Sequence, residues 1–164
     1  MSRPVLLDTS FLIAYSDPIR PSHNAARHYL FEARRAGIPL LLSTIVVAEF
    51  ERRQEVKTLG LSNFQILPFN FEDAQAAAKL ADKILPFSTG DNRKCLAADV
   101  KIIAHAQRSN AAVLLTEDRK TMAKYINALR ALNVMDCYPV LPADGFDAAR
   151  LSTPAVPSLP LPLP

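Results

Sequence analysis

The sequence predicts a single α/β domain with a mainly parallel central sheet and helices on both faces. Three observations carry that prediction. Short apolar runs of strand type, "PVLLD", "IPLLL" and "AAVLL", recur along the chain and are separated by segments of helical spacing. Strands alternating with helices favour parallel pairing, because each crossover helix returns the chain to the same end of the sheet. With 164 residues, 49% hydrophobic and 21% charged, the chain is long and apolar enough for one substantial core.

Taken in order, "PVLLD" is a buried strand and "TSFLIAYSDP" a short helix closed by Asp17-Pro18. "SHNAARHYLFEARRAG" is a helix with Ser22 as its cap, Ala25, Ala26, Tyr29, Leu30 and Ala33 at helical spacing, and Gly37 as the stop. "IPLLL" is the second strand, and Ser43 or Thr44 caps the helix "TIVVAEFERRQEVK". "FQILPF" is a weaker extended segment. "FEDAQAAAKLADKI" is a helix with acids in its first turn and Lys83 near its end, as the helix dipole prefers. The loop "PFSTGDN" leads into the helix "RKCLAADVKIIAHAQRSN", followed by the strand "AAVLL", the helix "KTMAKYINALRAL" and a last strand, "CYPVL".

The totals exclude several classes. Two cysteines, Cys95 and Cys137, far apart and without metal spacing, argue against a disulfide framework and a zinc site, and a reduced cytoplasm is the expected location. The longest apolar stretch, "IPLLLSTIVVA", is about half of what a membrane span needs, and Asp8 interrupts the N-terminal run where a signal peptide would be apolar. A net charge of +3 is compatible with a polyanionic partner without demanding one. The domain is expected to occupy 1–150, and the Pro-rich segment 151–164 to be an extended, disordered tail.

Four acids stand out. Asp8 comes directly after the first strand, and ligands of open parallel sheets bind beyond the carboxyl ends of the strands. Asp118 stands in the same relation to "AAVLL", with Thr116 and Glu117 between. On the helix beginning at Arg93, with Leu96 at zero, Val100, Ile103, Ala106 and Ile102 fall at about 40°, 340°, 280° and 240°, and Asp99 at about 300° among them. Lys101, His105 and Arg108 fall at about 120° to 180°, the side expected to be solvated. With Thr44 at zero, Ile45, Val46, Phe50 and Val47 occupy roughly 100° to 300°; Glu49 falls inside at about 140° and Glu51 outside at about 340°. No Arg or Lys shares either arc within one turn.

A carboxylate on an apolar face must be neutral, paired with a cation or bound to a metal. Convergent acids repel unless a divalent cation sits among them, and an all-oxygen set suits Mg²⁺ or Mn²⁺ rather than zinc. The structural alternative for each is a loop acid, a helix cap, or a hydrogen bond to a hydroxyl such as Thr9, Ser10 or Thr116.

On these residues the sequence resembles the PIN domains, metal-dependent ribonucleases, and most of all the VapC-type toxins of bacterial toxin–antitoxin pairs. The matching pieces are "LLDTSFLIA", "STIVVAEF", "AADVKIIAHA" and "VLLTED", in the family's order. The resemblance implies a three-layer α/β/α sandwich. It makes Asp8, Glu49, Asp99 and Asp118 the metal-binding and catalytic acids, with Thr116 a helper through its hydroxyl. It further implies an RNA substrate, Mg²⁺ or Mn²⁺ as cofactor, a homodimer, and a small antitoxin partner that occupies the active-site groove.

Lys94, Lys101, Arg119, Lys120 and Lys124 flank the acid-bearing segments and are candidate phosphate contacts, or else solvated face residues. A histidine-based nuclease gains little support from His23, His28 and His105, which are not paired as acid and base. Three rivals remain: a catalytically silent PIN-like module binding RNA or protein, an RNA-processing nuclease outside toxin–antitoxin systems, and a phosphatase or phospho-acceptor centred on Asp8. The silent module would be expected to lack some of the acids. The phosphatase would usually want a second Asp where Ser10 stands, and a phospho-acceptor domain a Lys soon after "CYPVL".

Overall fold

The computed structural model describes residues 2–152. Its elements keep the sequence order: β1 (Val5–Leu7), α1 (Thr9–Ser16), α2 (His23–Arg35), β2 (Leu40–Ser43), α3 (Thr44–Glu51), β3 (Gln65–Leu67), α4 (Phe71–Ile84), α5 (Arg93–Arg108), β4 (Val113–Leu115), α6 (Met122–Ala131) and β5 (Tyr138–Val140). The five strands form one sheet in the order β3-β2-β1-β4-β5, every pair parallel. Val5 is in register with Leu40 on one side and Val113 on the other.

The three apolar runs become the centre of the sheet because they can be buried on both faces. All residues of β1, β2 and β4 are buried, as expected when crossover helices cover a parallel sheet. Each fully buried Leu or Val contributes about 1.5–3 kcal/mol relative to exposure. The weak segment "FQILPF" forms the edge strand β3, where Gln65 and Ile66 are exposed. Gly37, at φ 66, ends α2 in the left-handed conformation that its lack of a Cβ permits.

Ser22 does not cap α2 through its side chain; its hydroxyl instead donates to Glu117 at 3.0 Å. The C-terminal segment folds over α2, where Tyr29 donates to the Gly145 carbonyl at 3.1 Å. Leu151, 3% exposed, still packs on the core, so packing continues to the first residue of the segment expected to be a tail. The remainder of that segment, 153–164, lies outside the described residues.

His105 departs from expectation. It is 2% exposed rather than solvated, because α4 packs along the face of α5 that helical arithmetic leaves outside. There the first turn of α4 meets the last turn of α5. Asn70 and Asp73 form a reciprocal capping box, Asn70 Oδ1 accepting from the Asp73 N–H at 3.0 Å and Asp73 Oδ2 from the Asn70 N–H at 2.9 Å. Arg108 Nη1 donates to Asp73 Oδ1 at 2.6 Å, and His105 Nε2 lies 3.2 Å from Asp73 Oδ2.

Burial opposes ionisation of Asp73, but the Asn70 N–H, Arg108 and His105 together outweigh it and hold the carboxyl below its ordinary value of 3.8. Asp73 therefore stabilises the fold above pH 3.8, and that contribution is lost as pH falls through its lowered value. Asp73→Asn should cost about 2 kcal/mol at pH 7. In urea titrations across pH, the gap between wild type and variant should narrow toward acid.

Candidate functional site

The strand order places a chain reversal at β1. From β1 the chain builds outward through β2 and β3, then crosses back to lay β4 and β5 on the other side. Asp8 leaves β1 at its carboxyl end, and its N–H donates to the Leu115 carbonyl of β4 at 3.0 Å. The switch point therefore brings the ends of β1 and β4 together, where ligands of this architecture bind.

Asp8, Glu49, Asp99 and Asp118 all line one cavity of about 520 Å³, with Thr9, Ser10 and Cys95. They arrive from different elements: Asp8 at the start of α1, Glu49 from α3, Asp99 from α5 and Asp118 from the loop before α6. The arcs drawn from the sequence hold at both helical positions. Glu49 is half-buried, while Glu51 is exposed and accepts from the Val56 N–H at 2.8 Å.

Hydroxyl groups organise the acids. Ser10 and Thr116 both donate to Asp8 Oδ2, at 2.6 and 2.8 Å, and Thr9 donates to Glu49 Oε2. Asp118 Oδ1 accepts the N–H groups of Lys120 and Thr121, each at 2.9 Å, and Oδ2 accepts from the Thr121 hydroxyl. Asp118 thus also shapes the turn that opens α6, as a loop acid does. Thr116 is fully buried, and its oxygen accepts from the Asp118 N–H at 3.0 Å while donating to Asp8. It ties two of the acids together and does not line the cavity.

Asp99 is different. Its Oδ2 is buried without a hydrogen-bond partner. Burial, reinforced by the negative charges of Asp8, Asp118 and Glu49, pushes its carboxyl up to about 7 against the pull of the Thr121 hydroxyl. Asp8 is raised as well, by burial first and by Glu49, with Ser10, Thr116 and the Thr9 backbone opposing. In both, burial is the larger cause and the neighbouring negative charges add to it.

The cations lie elsewhere than the sequence leads one to expect. Lys94, Lys101, Arg119 and Lys120 are exposed, and none lines the acidic cavity. Arg119 pairs with Asp144 at 2.6 Å, Lys101 lies over the Phe69 ring, and Lys124 pairs with Asp91 at 2.6 Å. Arg52 and Arg53 border the cavity instead. Helical arithmetic does not find them, because α3 ends at Glu51 and an arc drawn through Glu49 no longer places the residues after it. The signal present in the sequence is the pair "RR" within about one turn beyond Glu49.

Among the described residues, no three His, Cys, Asp or Glu side chains are gathered closely enough to hold an ion as they stand. The four acids nonetheless fit a hard divalent cation: each offers carboxylate oxygens, and Asp99 has a buried one with no hydrogen-bond partner.

Several solved structures share this architecture. FitAcB from Neisseria gonorrhoeae is 21% identical, with a TM-score of 0.59 over 85% of this chain and 98% of that one. VapBC2 from Rickettsia felis, bound to a DNA fragment from its promoter, is 17% identical, with a TM-score of 0.57 over 84% and 97%. VapC20 from Mycobacterium tuberculosis, described as a Sarcin-Ricin loop cleaving toxin, is 14% identical, with a TM-score of 0.53 over 73% and 93%. At these identities the likeness is one of fold. Comparison with curated proteins by sequence finds no match. The PIN domain family model matches residues 5–127, a span from β1 into α6 that carries all four acids. With most of its length matched by that model, the chain belongs to the PIN domain family.

Proposed function

We propose that this chain is a metal-dependent endoribonuclease and the toxin of a toxin–antitoxin pair. The observation that carries the reading is the meeting of Asp8, Glu49, Asp99 and Asp118 in one cavity at the switch point, with an unpartnered buried oxygen on Asp99. Structural neighbours named as VapBC and FitAcB complexes, and as a toxin that cleaves the Sarcin-Ricin loop, support a nuclease with an antitoxin partner. A homodimer accords with the same resemblance.

Asp8, Glu49, Asp99 and Asp118 would hold Mg²⁺ or Mn²⁺. When bound, the ion supplies a water of lowered pKa and neutralises charge on the phosphate in transit. The rest falls to the chain. Carboxylate oxygens facing the cavity accept hydrogen bonds from the attacking water and orient it toward the phosphorus. Ser10 and Thr116 fix the Asp8 carboxyl, and Thr9 fixes Glu49, so these two acids are oriented before a substrate arrives.

Purified protein incubated with labelled RNA should cleave it in Mg²⁺ or Mn²⁺ and stop in EDTA. Asp8→Asn and Asp99→Asn should abolish cleavage; cleavage unchanged in both variants would sink the assignment. RNA bound but uncut under every metal would instead favour the silent binding module.

Thr116→Val removes one hydroxyl while nearly preserving volume. It should lower cleavage about 10- to 100-fold through misplacement of Asp8, with a stability loss of about 1–2 kcal/mol. Steady-state cleavage and urea titration of the same preparation separate the two effects.

Asp99 yields a prediction of opposite sign for stability. A carboxyl of ordinary value 3.8 raised to about 7 by folding binds its proton more tightly in the folded protein, so metal-free stability falls as pH rises between those values. Asp99→Asn should therefore be more stable than wild type at pH 8 in EDTA, by on the order of 1–3 kcal/mol, and no more stable at pH 4. Thermal melts at the two pH values check this.

A further inference from the structure

A second cavity, of about 600 Å³, adjoins the acidic one. It lies between the start of α2, the loop after β4 and the turn at Pro142, and it shares Ser10, Ile13 and Arg53 with the acidic cavity. Arg53 also borders a third, smaller recess beside Asp17 and Gln54, together with Arg20. Arg53 therefore stands where three recesses meet, directly beside the four acids.

The charges around the larger cavity are unequal in availability. Its carboxylate, Glu117, is engaged through both oxygens: Oε2 accepts from Ser22 and Oε1 from the Ala143 N–H at 3.1 Å. Ser10 is likewise occupied, donating to Asp8 and accepting from the Glu117 N–H at 2.8 Å. The Arg53 side chain has no hydrogen bond or ion pair among the described residues, and that of Arg20 has only an exposed contact to Asp17 at 3.6 Å. The cavity therefore offers a ligand two guanidiniums on a polar rim, with Ile13 and Ala14 as an apolar floor.

We propose that this cavity is the subsite for the nucleotide adjoining the scissile phosphate, with Arg53 and Arg20 binding backbone phosphates of single-stranded RNA. The inference rests on the nuclease reading and names where its substrate lies. A phosphate held by Arg53 sits next to the acids without entering among them. The forked donors of an arginine suit such an oxyanion better than a lysine's single ammonium does. The strand then runs across the cavity floor, where a base can lie on Ile13 and Ala14 while its edge meets polar rim groups such as Asn24. This accounts for a cluster of four acids being approachable by a polyanion: the approach is from the arginine side.

The test measures binding apart from cutting. A fluorescein-labelled single-stranded oligoribonucleotide is titrated in EDTA with wild type, Arg53→Ala, Arg20→Ala and Lys101→Ala, over a range of salt. The Arg53 side chain is exposed and unpaired among the described residues, so its alanine variant should keep the fold, checked by circular dichroism. Arg53→Ala and Arg20→Ala should each weaken RNA binding about tenfold and flatten the slope of log affinity against log salt by about 0.7, the value for one phosphate on a single strand. Lys101→Ala, outside all three recesses, should change affinity less than about twofold. RNA bound by both arginine variants as tightly as by wild type, with an unchanged slope, overturns the subsite and leaves the nuclease reading standing. Weakened binding in these variants, from a wild type that never cuts RNA, upholds the subsite and overturns the nuclease reading.

Discussion

The arrangement depends on how one buried carboxyl is held. Asp8 follows a strand that is paired on both sides and is only 5% exposed, so its carboxyl draws its hydrogen-bond partners mainly from the protein. Ser10, two residues on, supplies one hydrogen bond, and Thr116, at the end of the neighbouring strand, supplies the other. The second is available because β1 and β4 pair in parallel with Leu7 opposite Leu115, which sets the residues just after each strand side by side. The Thr116 oxygen then carries the order onward to Asp118. One hydroxyl thus joins the two strand-end acids, and the register of two buried strands fixes it.

The helical acids are placed by a different force. Glu49 and Asp99 lie on faces that are otherwise apolar, and packing of those faces turns both carboxylates into the same cavity. Thr9 meets Glu49, so its charge is tolerated. The cost of placing Asp99 there shows as a carboxyl raised to about 7. A site that concentrates negative charge in this way is less stable than an apolar one would be, and relief of that repulsion is what such a site offers a divalent cation. The bulk of the stability comes from elsewhere, from the apolar sheet and from fastenings such as Asp73 with Arg108, well away from the acids.

The same geometry explains why the electrostatics of the cleft are lopsided. Acids occupy the end of the sheet, and Arg20 and Arg53 stand to one side of them, at the junction with a second cavity whose own carboxylate is already satisfied. On the proposed reading, long-range attraction of a polyanion would come from residues other than those that would act on it.

Much of this is legible in the sequence. Wholly apolar runs separated by helical spacing lead to the parallel sheet, because only strands covered on both faces can be apolar throughout. The four acids can be picked out because a strand end and a helical arc are both local properties, read from spacing alone. Tertiary structure decided the rest. His105 is buried because α4 covers a face of α5 that is polar enough to look solvated, and Asp73 and Arg108 make that coverage possible. Ser22 abandons its helix end for Glu117, a partner far along the chain. Arg53 borders the acidic cavity because α3 stops at Glu51 and the chain turns there. The sequence by itself determined which residues form strands, which helical faces are apolar, and therefore which acids face inward. Which hydroxyl, cation or helix each of them meets depends on contacts between segments distant in sequence, and only the packed structure specifies those.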